Sequence, residues 1–378
     1  MTQPLTGHRS YGLVGQGGLG DEIDPAQLRA QYDAGVRVRL IELGWNVLQP
    51  TGPEAWDVRV ARAFQDRIDA FTRLGPDVQL VLDLGLHYPP DWVMRIDPLV
   101  DQFGHSWQGR GGANVYWSAE VRRHVAAYIS QLFAEFDFHD RLWIVRVGVS
   151  GGELLYPSLW TEDQGLSFWA FDRTAQEESP VAGWKPGQDS PHGEAATFYT
   201  WYVDNLVVTF NFVLTEVRHY YEGYVAPVTP GLGMNEFSVA EIISRNLSDP
   251  TQSAYGTGNY WQRIFALLPG ADAGVMNWCS SLGDGSGNDA SPNWWEWSSA
   301  RQQAYLAAKN GRDIFGENAG ANPYEAADDI DPRTTARQIF AAVTNYNYRG
   351  LLWVSQAMME DPRYLSLDQY GSLIATSR

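Results

Sequence analysis

The chain has 378 residues, of which 44% are hydrophobic and 19% are charged, and this composition is typical of a folded globular protein. Its 27 Lys and Arg residues against 45 Asp and Glu residues give a net charge of −18, which argues against binding to nucleic acid or to an anionic membrane surface. The sequence contains no uncharged apolar run of about 18 residues, so it predicts no membrane-spanning helix. We therefore expect neither a nucleic-acid partner nor a membrane partner.

The N-terminal segment and the cysteine content bear on the cellular compartment. The segment MTQPLTGHRSYGLVG lacks a basic stretch followed by an apolar core, so it is not typical of a secretory signal peptide. The single Cys279 allows no disulfide within the chain, which is compatible with a reducing cytosol. A cytoplasmic location is the expectation, and secretion after removal of a signal stays open.

Apolar runs that are typical of buried parallel strands alternate with amphipathic stretches along the whole chain, which favours a parallel α/β architecture. The candidate strands are Tyr11–Val14, Val36–Leu43, Val78–Leu84, Leu142–Val149, Tyr224–Thr229, Gly274–Trp278, Asp313–Gly316 and Leu351–Ser355. Helical patterns such as Val58–Leu74 and Ala119–Phe136 lie between them. The sequence therefore predicts one (β/α)₈ TIM barrel over residues 1–378, with an open doubly wound sheet as the alternative.

Motifs that bind phosphate or zinc are missing from the sequence. It contains no P-loop, no HExxH motif and no Cys/His cluster. The stretch DGSGND, residues 284–289, offers oxygen ligands at alternating positions but lacks the glutamate that completes an EF-hand loop. We expect no cofactor and no metal site.

Two long segments, residues 156–194 and 279–296, follow the fourth and sixth predicted strands. Barrel enzymes build their active sites from the loops at the carboxyl ends of the strands. The side chains just past each strand should therefore meet at one mouth. They include the carboxylates Glu153 and Glu317, together with a set of candidate substrate contacts: Trp45, Asn46, His87, Tyr88, Asn277, Trp278, Asn318 and Trp353.

Two carboxylates on opposite sides of a barrel mouth are the groups that cleave a glycosidic bond. One donates a proton to the leaving oxygen, and the other attacks the sugar or activates a water molecule. Aromatic and amide side chains supply faces and hydrogen bonds for sugar rings. The sequence therefore predicts a glycosidase that acts on a carbohydrate.

Longer phrases of the sequence resemble a known group of glycosidases. AGVRVRLIELGWNVLQPTGP, LVLDLGLHYPPDWVMRIDPLVDQFG and VYWSAEVRRHVAAYI are similar to the barrel of clan A glycoside hydrolases, most of all to the family 42 β-galactosidases over residues 24–153. The resemblance implies that Glu153 is the acid/base and that Glu317, in IFGENAG, is the nucleophile of a retaining reaction. It also implies a β-galactoside or a related sugar as substrate. Beyond residue 153, the resemblance rests on strand order and Glu317.

The stretch GGELLYPS departs from that family. Clan A acid/base residues usually follow an Asn that binds the sugar 2-hydroxyl, whereas Glu153 follows Gly152. The same stretch is similar to GELRYPS around the catalytic acid of the β-amylases, which are inverting barrel enzymes. An inverting hydrolase and a non-catalytic carbohydrate-binding barrel are therefore the alternatives. Glu236 after Asn235 is a further carboxylate near a strand end, but FSVAEII predicts that a helix begins there.

Overall fold

Eight parallel strands form a closed barrel in which each strand pairs with the next one along the chain and the last pairs with the first. The structure is a computed structural model that describes residues 9–21, 23–109, 111–157, 166–231, 233–248, 254–283, 287–318, 320, 322–324 and 335–377. The strands are β1 (Ser10–Leu13), β2 (Val38–Glu42), β3 (Gln79–Asp83), β4 (Leu142–Val147), β5 (Tyr224–Thr229), β6 (Asn277–Leu282), β7 (Ile314–Asn318) and β8 (Gly350–Trp353). The predicted (β/α)₈ barrel is confirmed.

Helices surround the barrel, and several begin at capping side chains. Asp24, Asp57 and Ser118 accept hydrogen bonds from backbone N–H groups in the first turns of the helices that follow them. Within the described residues, no helix is both long enough and apolar enough to cross a membrane. The helices are α1 (Pro25–Asp33), α2 (Trp45–Leu48), α3 (Val58–Thr72), α4 (Asp91–Met94), α5 (Ala119–Glu135), α6 (Arg173–Glu178), α7 (Glu194–Arg218), α8 (Glu236–Ser244), α9 (Ala254–Thr257), α10 (Trp261–Leu267), α11 (Ser299–Lys309), α12 (Ala336–Asn345) and α13 (Leu367–Ser377).

Alternate strand residues fill the lumen of the barrel with apolar side chains. Val38, Val81, Phe315 and Leu352 belong to this buried cluster. The residues between them point outward and pack under the helices, because successive side chains of a strand face opposite sides of the sheet. The position of a residue within its strand therefore decides whether its side chain reaches the lumen.

Charged side chains replace apolar ones at the carboxyl ends of three neighbouring strands. Glu42 on β2 pairs in register with Asp83 on β3, and Asp83 pairs in register with Arg146 on β4. Glu317 occupies the penultimate position of β7. These four residues form a charged layer above the apolar lumen, at the end of the barrel where the predicted mouth lies.

The sixth strand differs from the prediction. The sequence predicts Gly274–Trp278, whereas β6 runs over Asn277–Leu282. Gly274 has a left-handed φ of 69° after a 3₁₀ turn, and Val275 forms only an isolated bridge with β5, so the chain enters the barrel later than its apolar residues indicate. This shift places Asn277 at the start of the strand and brings Ser280 toward its carboxyl end.

Candidate active site

Glu317 is held at the end of β7 by two hydrogen-bond donors. Its Oε2 accepts from Nη1 of Arg146 and from the indole Nε1 of Trp278, both at 2.9 Å. Burial raises the pKa of Glu317, while Arg146 and the Trp278 hydrogen bond stabilise the carboxylate and oppose that rise. Both donors bind the same oxygen and so restrict the orientation of the carboxylate.

Arg146 is the cation at the centre of the charged layer. Its Nε lies 2.9 Å from Oδ2 of Asp83, and its guanidinium carbon lies 5.3 Å from the ring centroid of Trp278. Burial lowers the pKa of Arg146, but the carboxylates of Glu317 and Asp83 outweigh that effect and leave it above its usual value. A buried charge is costly without partners, and Arg146 on β4 finds its partners in Asp83 on β3 and Glu317 on β7. These two ion pairs link the three strands.

Glu153 stands on a tight turn that follows β4. Gly151 and Gly152 have φ values of 59° and 88°, in the left-handed region that glycine adopts at little cost. The Glu153 N–H donates to the Ser150 carbonyl at 2.9 Å, and the Ser150 N–H donates back at 3.1 Å. A Cβ atom on Gly148 would lie 2.0 Å from the carbonyl oxygen of Gly152, so the turn also needs a glycine there. The glycine-rich sequence before Glu153 therefore builds the turn that presents it.

The carboxyl group of Glu153 has different surroundings from that of Glu317. Among the described residues its one hydrogen-bond partner is the hydroxyl of Ser280 on β6, which lies 2.6 Å from Oε1. Burial raises the pKa of Glu153 to about 6; the Ser280 hydrogen bond opposes the rise, and repulsion from Glu317 adds to it. Glu153 thus holds its proton to higher pH than an ordinary glutamate, as a general acid requires.

Glu42, Asp83, His87 and Tyr88 form the side of the mouth contributed by β2 and β3. The Tyr88 hydroxyl donates to Oε1 of Glu42 at 3.2 Å, and burial together with Glu42 raises the pKa of Tyr88 to about 12. Burial, followed by Asp83, raises the pKa of Glu42. His87 Nδ1 lies 3.6 Å from Oδ1 of Asp83, and burial lowers the pKa of His87. Tyr88 is 43% exposed, so it presents its ring to the solvent of the mouth.

Solved structures share this barrel at low sequence identity. The catalytic domain of β-amylase from Paenibacillus polymyxa aligns with a TM-score of 0.69 and 15% identity, covering 98% of each chain. The β-galactosidase of the Antarctic haloarchaeon Halorubrum lacusprofundi aligns with a TM-score of 0.59 and 14% identity, over 97% of this chain and 57% of that one. The β-galactosidase of the psychrophilic Marinomonas ef1 aligns with a TM-score of 0.58 and 11% identity, over 93% and 56%.

The chain has the barrel fold of these enzymes. It spans a little over half the length of the two β-galactosidase chains and nearly all of the β-amylase domain. No family model matches the sequence, and no curated protein does. The likeness thus establishes the fold, and the activity has to be argued from the site.

Several of the predicted site residues lie together at the mouth. Glu153 and Glu317 are coupled electrostatically, and His87 and Tyr88 adjoin the charged layer. A Cβ atom on Gly152 would lie 3.9 Å from Nε2 of His87, which places this imidazole beside the turn that carries Glu153. Asn46 is exposed, and its N–H donates to the Tyr88 carbonyl at 2.9 Å.

Trp45 and Trp353 do not line the mouth, contrary to the prediction. Trp45 is 0% exposed and stacks on Tyr128, with ring centroids 4.9 Å apart. Trp353 is 2% exposed and packs under the helices, with its ring 6.0 Å from that of Tyr370. The physical reason for Trp353 is strand alternation, since the preceding Leu352 occupies the lumen and Trp353 must therefore face outward.

The side chains of Asn277 and Asn318 are also buried and hydrogen-bonded within the protein, and Nδ2 of Asn277 has no hydrogen-bond partner among the described residues. Asn277 starts β6, is 0% exposed, and accepts a hydrogen bond from Arg312 at 2.8 Å, at the end of the barrel away from the mouth. Asn318 is 1% exposed and exchanges hydrogen bonds with the backbone of Val354 after β8. Neither amide is placed to contact a substrate.

Trp278 has a role that differs from the predicted one. Its ring is 0% exposed, and its Nε1 donates to Glu317. The indole therefore orients a carboxylate instead of offering a face to a sugar. Glu236 is likewise accounted for by local structure, because it is exposed at the first position of α8 after the Asn235 capping box.

Four residues of the site are absent from the predicted set: Glu42, Asp83, Arg146 and Ser280. Three of them carry a signal in the sequence, because a charged residue interrupts or ends an apolar strand in VRLIE, QLVLD and LWIVRV. Buried charges in strands are retained where they are paired or functional. Ser280 carries no comparable signal, since its assignment depends on where β6 ends.

Metal binding finds no support in the described part of the chain. No group of three or more His, Cys, Asp or Glu side chains is placed there to hold a metal ion. Residues 284–286 of the DGSGND stretch lie outside the described residues. The carboxylate of Asp289 accepts from the N–H of Ser298 at 2.8 Å and from the hydroxyl of Tyr346, so it fastens the loop to α11 and α12.

Proposed function

We propose that the chain is a glycoside hydrolase whose residues 1–378 form one catalytic barrel, with Glu153 and Glu317 as the catalytic carboxylates. The observation that carries the proposal is the contrast between their surroundings. Arg146 and Trp278 stabilise the Glu317 carboxylate, whereas Glu153 has a hydroxyl donor and a pKa of about 6. Carboxyl groups whose environments favour different protonation states are suited to act as acid and nucleophile.

In the retaining form of the reaction, Glu153 gives its proton to the leaving oxygen while Glu317 attacks the anomeric carbon. The bond between that carbon and the leaving oxygen breaks, and a glycosyl-enzyme ester forms on Glu317. Glu153, now ionised, takes a proton from a water molecule that attacks the anomeric carbon and frees Glu317. Arg146 and Trp278 hold Glu317 in line for attack and receive it again as a carboxylate.

The mouth offers groups that suit a carbohydrate. We place Tyr88, Asn46 and His87 against the hydroxyls of the sugar that is attacked, because these residues adjoin the charged layer. Phe237 is 56% exposed at the start of α8, and its ring lies 4.8 Å from that of Trp295 in the loop after β6. Both follow carboxyl ends of strands next to Ser280, the partner of Glu153, so the pair would receive a ring of the leaving group. A β-galactoside is the first substrate to test.

An inverting reaction is the second candidate, and the fold similarity to the β-amylase over 98% of both chains favours it. Glu317 would then activate a water molecule instead of attacking the sugar. The two mechanisms differ in the configuration of the first product, which proton NMR reads before the sugar mutarotates. Release of the same anomer as the substrate supports retention, and release of the opposite anomer supports inversion.

The test of the proposed function compares wild type with Glu153→Gln and Glu317→Gln on a panel of nitrophenyl glycosides. Glu236→Gln is the matched control, because it makes the same change at an exposed carboxylate, at the first position of α8. We expect each catalytic variant to lose about 10²- to 10⁴-fold in kcat and the control to keep wild-type activity. Full activity in either catalytic variant removes the role assigned to that residue. A wild type that binds sugars without turnover identifies a carbohydrate-binding barrel.

A further inference from the structure

The hydroxyl of Ser280 has one hydrogen and two acceptors within reach. Its Oγ lies 2.6 Å from Oε1 of Glu153 and 3.2 Å from the carbonyl oxygen of Thr229 on β5. A serine hydroxyl donates one hydrogen bond at a time. A bond to an ionised carboxylate is about twice as strong as one to a neutral carbonyl, so the charge of Glu153 decides where the hydrogen points.

The second acceptor is fixed in place by its neighbours. Thr229 is 0% exposed, and its Oγ1 lies 3.0 Å from the carbonyl oxygen of Trp278 and 3.1 Å from Oε1 of Gln303. The Gln303 amide in turn donates to the carbonyl of Gly231 at 3.0 Å. The ends of β5 and β6 are therefore joined beside Ser280, and the Thr229 carbonyl stays available whatever the state of Glu153.

The other oxygen of Glu153 is left for the substrate. Its Oε2 has no hydrogen-bond partner among the described residues, and it is not among their buried unpaired atoms. The contact with Ser280 thus occupies Oε1 and leaves Oε2 available to a substrate. A proton on Oε2 is directed at a leaving oxygen instead of at the protein.

We propose that Ser280 is a positioning residue for Glu153, which holds Oε1 and turns its own hydrogen between Glu153 and Thr229 as Glu153 loses and regains its proton. The inference rests on the proposed function of Glu153. When Oε2 is protonated, the Ser280 hydrogen is shared with the Thr229 carbonyl. When that proton passes to the leaving oxygen, the Ser280 hydrogen turns to Oε1 and stabilises the new carboxylate. Ser280 keeps its proton throughout, and water later restores the proton of Glu153.

This arrangement favours the transition state over the bound substrate. The Ser280 hydrogen bond is weak while Glu153 is neutral and becomes strong as negative charge develops on the carboxyl group. An interaction that strengthens during the reaction lowers the barrier, whereas one of constant strength does not. Its loss should therefore appear in kcat more than in KM.

The test uses Ser280→Ala, the conservative variant Ser280→Thr, and Ser281→Ala as the matched control on the same strand. Removing the donor raises the pKa of Glu153, and because Glu153 must be protonated for the first step, the basic limb of the pH profile moves to higher pH. We expect Ser280→Ala to lose about tenfold in kcat and to shift that limb by about one pH unit. Ser280→Thr, which keeps a hydroxyl, should have the kcat and the basic limb of wild type, and Ser281→Ala should change neither of them.

Carbon-13 NMR of glutamate-labelled protein reads the pKa of Glu153 directly, with Glu153→Gln to assign the signal, and it needs no turnover. A folded Ser280→Ala protein with an unmoved Glu153 pKa and an unmoved basic limb overturns the inference. So does a folded Ser280→Thr protein that restores neither property. If wild type hydrolyses no substrate and the Ser280→Ala variant still has a raised Glu153 pKa, the proposed function is refuted and the hydrogen bond between Ser280 and Glu153 is supported.

Discussion

Replacing Arg146 with Met removes the guanidinium that lies between two buried carboxylates. The Arg146 side chain is 10% exposed, and those of Asp83 and Glu317 are 1% and 13% exposed, so water replaces little of the lost charge. At an effective dielectric constant of about 20, charges about 4 Å apart attract one another by about 4 kcal/mol. Removing one partner of such a buried pair costs about 3–5 kcal/mol, and we expect the free energy of unfolding at neutral pH to fall by that amount.

The same substitution changes the pH dependence of activity. The pKa of Glu317 is already raised by burial, and Arg146 is the largest influence that opposes the rise. Losing about 4 kcal/mol of attraction corresponds to a further rise of about two to three pH units. In its proposed role as the nucleophile Glu317 must be ionised, so activity should fall as the pH drops through the pKa of Glu317. The acidic limb of kcat/KM should therefore move upward by about two to three pH units in Arg146→Met.

Urea unfolding and a pH profile of kcat/KM on the best nitrophenyl glycoside measure the two effects separately. Arg312→Met is the matched control, because Arg312 is 6% exposed and is bonded to backbone carbonyls and to Asn277 at the opposite end of the barrel. The Arg312→Met control should be less stable than wild type, and the acidic limb of its kcat/KM profile should coincide with that of wild type. An Arg146→Met enzyme whose acidic limb coincides with that of wild type would refute the role given to this guanidinium.

Four further outcomes are expected from the structure. The pKa of Glu153 is about 6 against an ordinary 4.5, so its contribution to stability is present below pH 4.5 and is lost as the pH rises through 6. Urea unfolding should therefore show Glu153→Gln to be more stable than wild type by about 2 kcal/mol at pH 8 and equally stable at pH 4. Gly152→Ala should lose about 1–2 kcal/mol of unfolding free energy through backbone strain at a φ of 88° and should lower kcat, whereas Gly20→Ala, at an open site without positive φ, should do neither. Trp295→Ala should lower kcat/KM by about tenfold on an oligosaccharide and leave that of a glycosyl fluoride unchanged, because only the former has a leaving ring to bind. The Nε and Nη2 atoms of Arg39 are buried and have no hydrogen-bond partner among the described residues, so Arg39→Met should raise the thermal unfolding temperature, and a lowered temperature would contradict this expectation.

The fold could be predicted because its strands are nearly continuous apolar runs separated by capped amphipathic helices. The helical pattern predicted over Val58–Leu74, for example, corresponds to α3. The prediction is wrong by a few residues at β6, where apolar residues before Asn277 lie outside the strand and polar Ser280 and Ser281 lie within it. Barrel strands accept polar residues near their carboxyl ends because these ends border a solvated mouth.

The site could be predicted only in part, because the exact position of a residue within its strand decides whether its side chain points into the lumen or outward. Glu153 and Glu317 could be predicted because one follows the end of a strand and the other lies near the end of a strand. Trp353 is one residue away from the lumen position of Leu352, and a displacement of one residue reverses the face of a strand residue. Asn277 lies at the first position of β6, away from the mouth, because the strand begins later than the sequence predicts. Sequence alone does not resolve that displacement.

The charged layer supports the different roles proposed for Glu153 and Glu317. Its one guanidinium, on Arg146, contacts Asp83 and Glu317 and does not contact Glu153. The Glu317 carboxylate therefore has a cation in contact with it, whereas Glu153 has a neutral donor, and Arg146 affects the pKa of Glu153 less than burial, Ser280 and Glu317 do. Burial raises the pKa of both carboxyl groups, and the largest influence that opposes the rise is the Arg146 cation at Glu317 and the Ser280 hydrogen bond at Glu153. The position of Arg146 in LWIVRV thus favours the proposed roles, with Glu153 after β4 as the acid and Glu317 on β7 as the nucleophile.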